Sequence, residues 1–320
     1  MIGWRGWLGA GCILAGLGAG GARWVAAIYR MPSGLLRTTA VFVPKGSADD
    51  VAETLRFHGV VGDPLLLRGF AALTWWNGPM RSAEFSFPAH ASIALVLTIL
   101  RNGRPVQHLL TFPEGVNSAA FAGLLAGAYG LTGAVAVPEE GAVLPETYAY
   151  AYGATRNTVV RRAGQALDRL LASVWQSRDS DLGLRSAREM LILASLVERE
   201  THLAAERPLV ARVFLNRLRQ GMRLQSDPTV VYGESGGFGA LSGGITRDAL
   251  ARPTPYNTYA VWGLPVGPIC APGRASIEAV AHPARSEALY FVANGNGGHV
   301  FADTLVEHDR NVSRYRMLRH

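Results

Sequence analysis

Apolar residues along this 320-residue chain recur with several different periods, and each period predicts an element. Residues 6–22 carry no charge, and the apolar stretch runs from Trp7 to Tyr29 with Arg23 as its one charged residue. That length crosses a bilayer with some tilt if Arg23 snorkels outward. Trp4, Trp7, Trp24 and Tyr29 sit near the two ends, where amphipathic rings favour the interface. Three readings fit: a signal peptide cleaved near its small residues, a buried glycine-rich helix, and an uncleaved single-pass anchor over 1–30. So many glycines make a poor soluble helix, and the anchor, N-terminus inside, is the preferred expectation. Beyond it, TTAVFVPKGS reads as a strand and Ala48–His58 as a helix capped by Gly59. Ala83–Pro88 alternates as a strand, Ser92–Arg101 is helical, and Val106–Pro113 is a further strand. Together they predict a small α+β module over 31–115, with no cluster of acids, histidines or cysteines. Its role is therefore binding or spacing. Trp75 and Trp76 suit either a sugar ring or, more commonly, a core.

The remaining stretch, 116–320, predicts a larger α+β domain. Val116–Tyr129 reads as a helix, followed by the turn-rich VPEEGAVLPETYAYAYG. Thr158–Ser177 is an amphipathic helix with apolar residues at helical spacing. Ser186 and Glu189 form a capping-box signature ahead of the apolar run MLILASLV. ERPLVARVFLNRLRQG is a helix closed by Gly221, and ALYFVANGNGGHVFADTLVEHDRNV reads as strand, Asn-Gly turn, strand and terminal helix. The expected class is α+β.

Composition narrows the function classes. With 49% hydrophobic and 17% charged residues, a disordered chain is excluded, and one candidate span excludes a polytopic membrane protein. Two cysteines, Cys12 and Cys270, make neither a disulfide framework nor a zinc site. The net charge is +7, nearly all of it arginine, since Lys45 is the sole lysine. These arginines are scattered, so nucleic acid is not an expected partner. Such a charge does suit work near anionic lipids and acidic peptides. A Ser/His/Asp triad cannot be argued from scattered residues, and no Lys-Ser/Thr phosphate loop occurs. The spacing of His299, Asp303 and His308 fits no common zinc pattern, and a strand-end histidine with a solvated helix is expected there. Neither metal nor cofactor is called for.

The segment SAREMLILASLVERET is the most informative. On a helix from Ser186, Leu193, Leu196, Val197 and Glu200 share one face, while Glu198 projects elsewhere. A carboxyl group pushed inward loses hydration, which raises its pKa and suits it to general acid work. The pattern equally allows Glu200 to end the helix and pair with Arg207 or Arg212. Asn216, mid-helix without a propensity advantage, needs a partner. LQSDPT gathers Gln225, Ser226, Asp227 and Thr229 into a turn suited to hydroxyl recognition, or to ordinary Asx-turn chemistry. PYNTY adds Tyr256, Asn257 and Thr258, an aromatic beside amide and hydroxyl groups as carbohydrate sites use.

These runs resemble one family. LASLVERET (193–201), ERPLVARVFLNRLRQGMRLQSDPTVVYG (206–233), PYNTY (255–259), GLPVGPICAPG (263–273) and LYFVANGNGGHVF (289–301) occur in the order of the endolytic murein transglycosylases, the YceG-like proteins. FVPKGS, FPEG (112–115) and EGAVLPETY (140–148) are similar to weaker family motifs. Ser226 stands where the family usually has threonine, Val266 where a second proline is common, and Glu146 where aspartate is common. Asn294 and Asn296 replace an aspartate and a lysine. The resemblance implies a single-pass inner-membrane anchor, a LysM-like module and a periplasmic catalytic domain. It implies Glu200, the second acid of E-x-E-T, as the catalytic residue; Asn216, Gln225, Asp227, Tyr256, Asn257 and Thr258 are the expected substrate contacts by their own chemistry. The implied substrate is the glycan strand of peptidoglycan, cut within the strand to leave 1,6-anhydroMurNAc ends. Such cuts help terminate nascent strands, with peptidoglycan synthases as candidate partners. A glycan-binding scaffold with little turnover is the rival, and a hydrolase leaving reducing ends is a third reading.

Overall fold

The computed structural model describes residues 20–238, 241 and 243–318. It divides into two compact units at His108/Leu109, and the described residues form helices with three two-stranded sheets, an α+β fold. The expected anchor falls largely on residues 1–19, outside the described residues. Residues 20–30 form helix α1. Among the described residues no helix is long and apolar enough to cross a membrane.

The first unit is built on β1 (Thr39–Val43) and β2 (Ala83–Phe87), antiparallel with Val41 opposite Phe85. Between them come α2 (Ala48–Phe57) and α3 (Pro64–Leu73), and α4 (Ile93–Asn102) follows. Ser47 starts α2 with a capping box to Asp50, as Ser-x-x-acid patterns do. Val51 and Leu55 of α2, Leu67 of α3, Phe85 and Phe87 of β2, and Leu97 of α4 close the core. α3 has no counterpart in the periodicity. Its run LLLRGFAAL is apolar apart from Arg68, which leaves too few polar positions for a polar face to be read from the sequence. The local signal is Asp63, whose carboxylate caps Leu65 N–H, with Pro64 in the first turn. Trp75 and Trp76, expected in a core, are instead 73% and 67% exposed on a short 3₁₀ turn.

β3 (Gln107–Thr111) spans the division and pairs with β4 (Thr147–Ala151). β4 replaces part of the expected turn-rich stretch. In TYAYA the two tyrosines alternate inward, and Tyr148 and Tyr150 are buried. With α5 (Ser118–Gly127), these residues form a satellite core in which Phe112 stacks on Phe121 at 3.8 Å.

The main core of the second unit surrounds α7 (Ala187–Glu200). Met190, Leu193, Leu196 and Val197 are fully buried, each contributing about 1.5–3 kcal/mol by burial. They pack among α6 (Arg156–Ser177), α8 (Arg207–Arg219) and α11 (Arg274–Ala281). α9 (Asp227–Ser235) and the short α10 (Arg247–Ala251) follow α8 in the chain. β5 (Tyr290–Ala293) and β6 (His299–Ala302) form an antiparallel hairpin ahead of α12 (Leu305–Leu318).

Candidate active site

α7 reaches its end at Glu200 because Thr201 turns extended, its N–H closing the last helical bond to Val197. The burial of Leu193, Leu196 and Val197 fixes the rotation of the helix. That rotation sends Glu198 and Glu200 into different surroundings. Glu198 Oε2 accepts the Gly273 N–H at 2.9 Å, and Oε1 lies 3.7 Å from Arg207, which also faces Glu114 at 3.6 Å. A Cβ at Gly273 would press on the Glu114 carboxylate, which would have to move aside. The arginines weighed as partners of Glu200 are thus engaged elsewhere: Arg207 with Glu198 and Glu114, Arg212 with Asp181 and the Ala284 carbonyl.

Glu200 opens instead into a cleft of about 290 Å³. Burial pushes its carboxyl up to about 7, and the neighbouring Asp227 adds to the rise. A hydroxyl donation from Ser226 at 2.5 Å, with His299 and Arg217 nearby, opposes it. Such a group holds a proton near neutral pH and can release it at small cost, which is what one residue acting as acid and then base requires.

The turn before α9 brings further groups. Gln225 adopts a left-handed backbone at φ 53°, a conformation that costs a non-glycine residue about 1–2 kcal/mol. Three bonds hold it: its N–H donates to the Thr258 carbonyl at 3.2 Å, Ser226 N–H to Thr258 Oγ1 at 2.9 Å, and Thr229 Oγ1 to the Ser226 carbonyl at 2.6 Å. Gln225 and Asp227 both line the cleft, and Asp227 Oδ1 accepts the Tyr259 hydroxyl at 2.6 Å. So two of the six expected substrate contacts join Glu200.

The other four are engaged in the frame around the cleft. Asn216 donates both amide hydrogens to the Ser286 and Ala288 carbonyls at 3.0 Å and is buried. Asn257 donates to the carbonyls of Ala249, Leu250 and Arg252, and its Oδ1 accepts Tyr259 N–H. Thr258 is spent on Ser226 and Thr229, and Tyr256 packs on Tyr232 at 4.6 Å. Each carries the right chemistry for a sugar but has used it on backbone or core. Asn257→Ala is accordingly expected to cost about 2 kcal/mol by leaving buried carbonyls unpaired, read as a lower denaturant midpoint.

Arg217, Leu224, Tyr259, Phe291 and His308 complete the lining, and the motif reading missed them as contacts. Arg217 Nε donates to the Leu289 carbonyl at 2.6 Å, and Nη1 to Leu224 at 2.9 Å. His308 departs from the solvated-helix expectation. It stacks on Tyr290 at 5.1 Å, and burial lowers its pKa more than Asp309 raises it. His299 is engaged by Glu206 at 2.7 Å. Among the described residues no group of three or more His, Cys, Asp and Glu could hold a metal ion.

A sequence profile of the YceG-like family matches residues 41–314. The chain belongs to the YceG-like family. A protein of Bacillus subtilis named endolytic murein transglycosylase is 42% identical over 130 residues, covering 41% of this chain and 35% of its own length. One of the same name from Streptococcus pneumoniae is 35% identical over 179 residues, covering 55% of this chain and 32% of its own. The matches thus span about a third of these family members' length. A crystal structure of a YceG-like protein from Listeria monocytogenes shares the fold, at TM-score 0.53 and 24% identity over 86% of this chain and 99% of that one.

Proposed function

We propose that the chain is an endolytic lytic transglycosylase that cuts the MurNAc–GlcNAc β-1,4 bond within peptidoglycan strands. The observation that carries this reading is a proton-holding Glu200 in a polar cleft, steadied by Ser226 and set beside Asp227. The named activity of the relatives supports it. Glu200 protonates the glycosidic oxygen, and positive charge develops at C1 of MurNAc. The same carboxylate, now a base, takes the proton of the MurNAc C6 hydroxyl, whose oxygen closes on C1 to give the 1,6-anhydro ring. An internal hydroxyl replaces water, so the second carboxylate of ordinary glycosidases has no task. Gln225 and Asp227 offer an amide and an acceptor to substrate hydroxyls.

The reading extends to the rest of the chain. The uncharged residues 6–22 and flanking tryptophans support a single-pass inner-membrane anchor with both units in the periplasm. The strand–helix–helix–strand order of the first unit supports a LysM-like module. Cutting nascent strands would help end their elongation and favours proximity to peptidoglycan synthases.

Digestion of purified murein by the chain, followed by mass spectrometry, tests the activity. Anhydro-ended fragments are expected. Reducing ends would identify a hydrolase, and binding without fragments a scaffold. Ser226→Ala removes a bond that favours the ionised carboxylate, so the pKa of Glu200 should rise further. Activity requires the protonated form, so its fall on the alkaline side should move to higher pH, a shift read from the pH–rate profile.

A further inference from the structure

The first unit carries an apolar surface that strand cleavage does not use. In α3, Leu67 and Phe70 enter the core, while Leu65, Leu66 and Leu73 face outward and are exposed. Arg68 aside, which pairs with Asp49, α3 turns leucines outward, and a contiguous exposed apolar patch marks an interaction surface. The outward leucines, with Trp24, Val25 and Ile28 of α1, line a groove of about 210 Å³. Tyr29 packs on Phe70 at 4.7 Å and so fixes α1 beside α3. Immediately after α3 come the exposed Trp75 and Trp76. α2 offers the opposite character, with Asp49, Asp50, Glu53 and Arg56 turned to solvent.

We propose that α1, the outer leucines of α3, Trp75 and Trp76 form a docking face for the lipid bilayer. This rests on the anchored reading above. α1 closes the apolar stretch that runs from Trp7 to Tyr29, so the face begins where the chain is proposed to leave the membrane. Tryptophan suits the headgroup level, and exposed leucines suit the acyl boundary just beneath it. Arg23 and Arg30 on α1 match anionic headgroups. The nearest acids are already engaged: Asp63 caps α3, and Asp49 pairs with Arg68. The first unit would then lie on the bilayer, not swing from a tether.

The test uses the full chain in vesicles of phosphatidylcholine and phosphatidylglycerol. Cys12→Ser leaves only Cys270, which is buried, so an introduced thiol takes a fluorescent dye selectively. Flotation reports anchoring, and quenching by nitroxide-labelled lipid reports docking. Dye at Leu73→Cys should be quenched about twofold or more, and dye at Glu53→Cys hardly at all. A chain that floats without quenching at position 73 overturns the docking and leaves the anchor standing. A chain that fails to float overturns both. Dye–dye self-quenching that grows with the number of chains per vesicle, without lipid quenching, would assign the face to a second copy and overturn the proposal.

Discussion

Glu200→Gln is expected to lower the release of anhydro-ended fragments by about a hundred- to ten-thousand-fold. Glutamine keeps the size and can still meet the Ser226 hydroxyl, but it can neither give nor take the proton. Quantifying anhydro ends by mass spectrometry against time decides it, and release at the wild-type rate would remove Glu200 from the mechanism. The variant should not fail by unfolding. Burial raises the carboxyl from its ordinary 4.5 to about 7, so ionising it weakens the fold. The wild type is free of that penalty below 4.5, acquires it as pH rises, and bears it fully above about 7. The variant's melting temperature relative to the wild type should climb across that window and then level off.

Glu198→Ala should do the reverse. Its carboxylate is 4% exposed and meets both Arg207 and the Gly273 N–H. Removing it leaves a buried guanidinium facing only the half-exposed Glu114, and one buried N–H without an acceptor. Breaking a buried pair from one side costs about 3–5 kcal/mol, to be read from urea unfolding. Two acids separated by one residue would then divide into a catalytic one, whose loss spares the fold, and a structural one, whose loss spares the chemistry. Equal stability for both variants would contradict the division.

Helix α7 and the separation of its two acids were legible in the sequence because a helix obeys one period, though that period did not say which acid lies deeper: Glu198 is 4% exposed, and Glu200 opens into the cleft. The hairpin and the long helices were legible for the same reason. α3 and β4 were not, for opposite causes. α3 has only Arg68 to mark a polar side, and β4 hides its alternation among alanines next to prolines and glycines. The binding residues divide along another physical line. Asn216, Asn257 and Thr258 carry the groups a sugar needs, but whether an amide faces a cleft or a backbone carbonyl 72 residues away depends on tertiary contacts. Arg217 was missed because buried arginines are rare. Its neighbour Asn216 held the signal, since both tie α8 to the segment before β5.

That tie sets when the cleft comes into being. Arg217 and Asn216 take carbonyls from residues 286–289, and Phe291 and His308 then supply part of the lining. The acid is made early and its enclosure late. A chain emerging N-terminus first carries Glu200 well before it carries the residues that desolvate it. Until the last few dozen residues arrive, that carboxylate is an ordinary hydrated anion with no proton to give. The order of the chain thus places the acid first and the groups that shield it from water last.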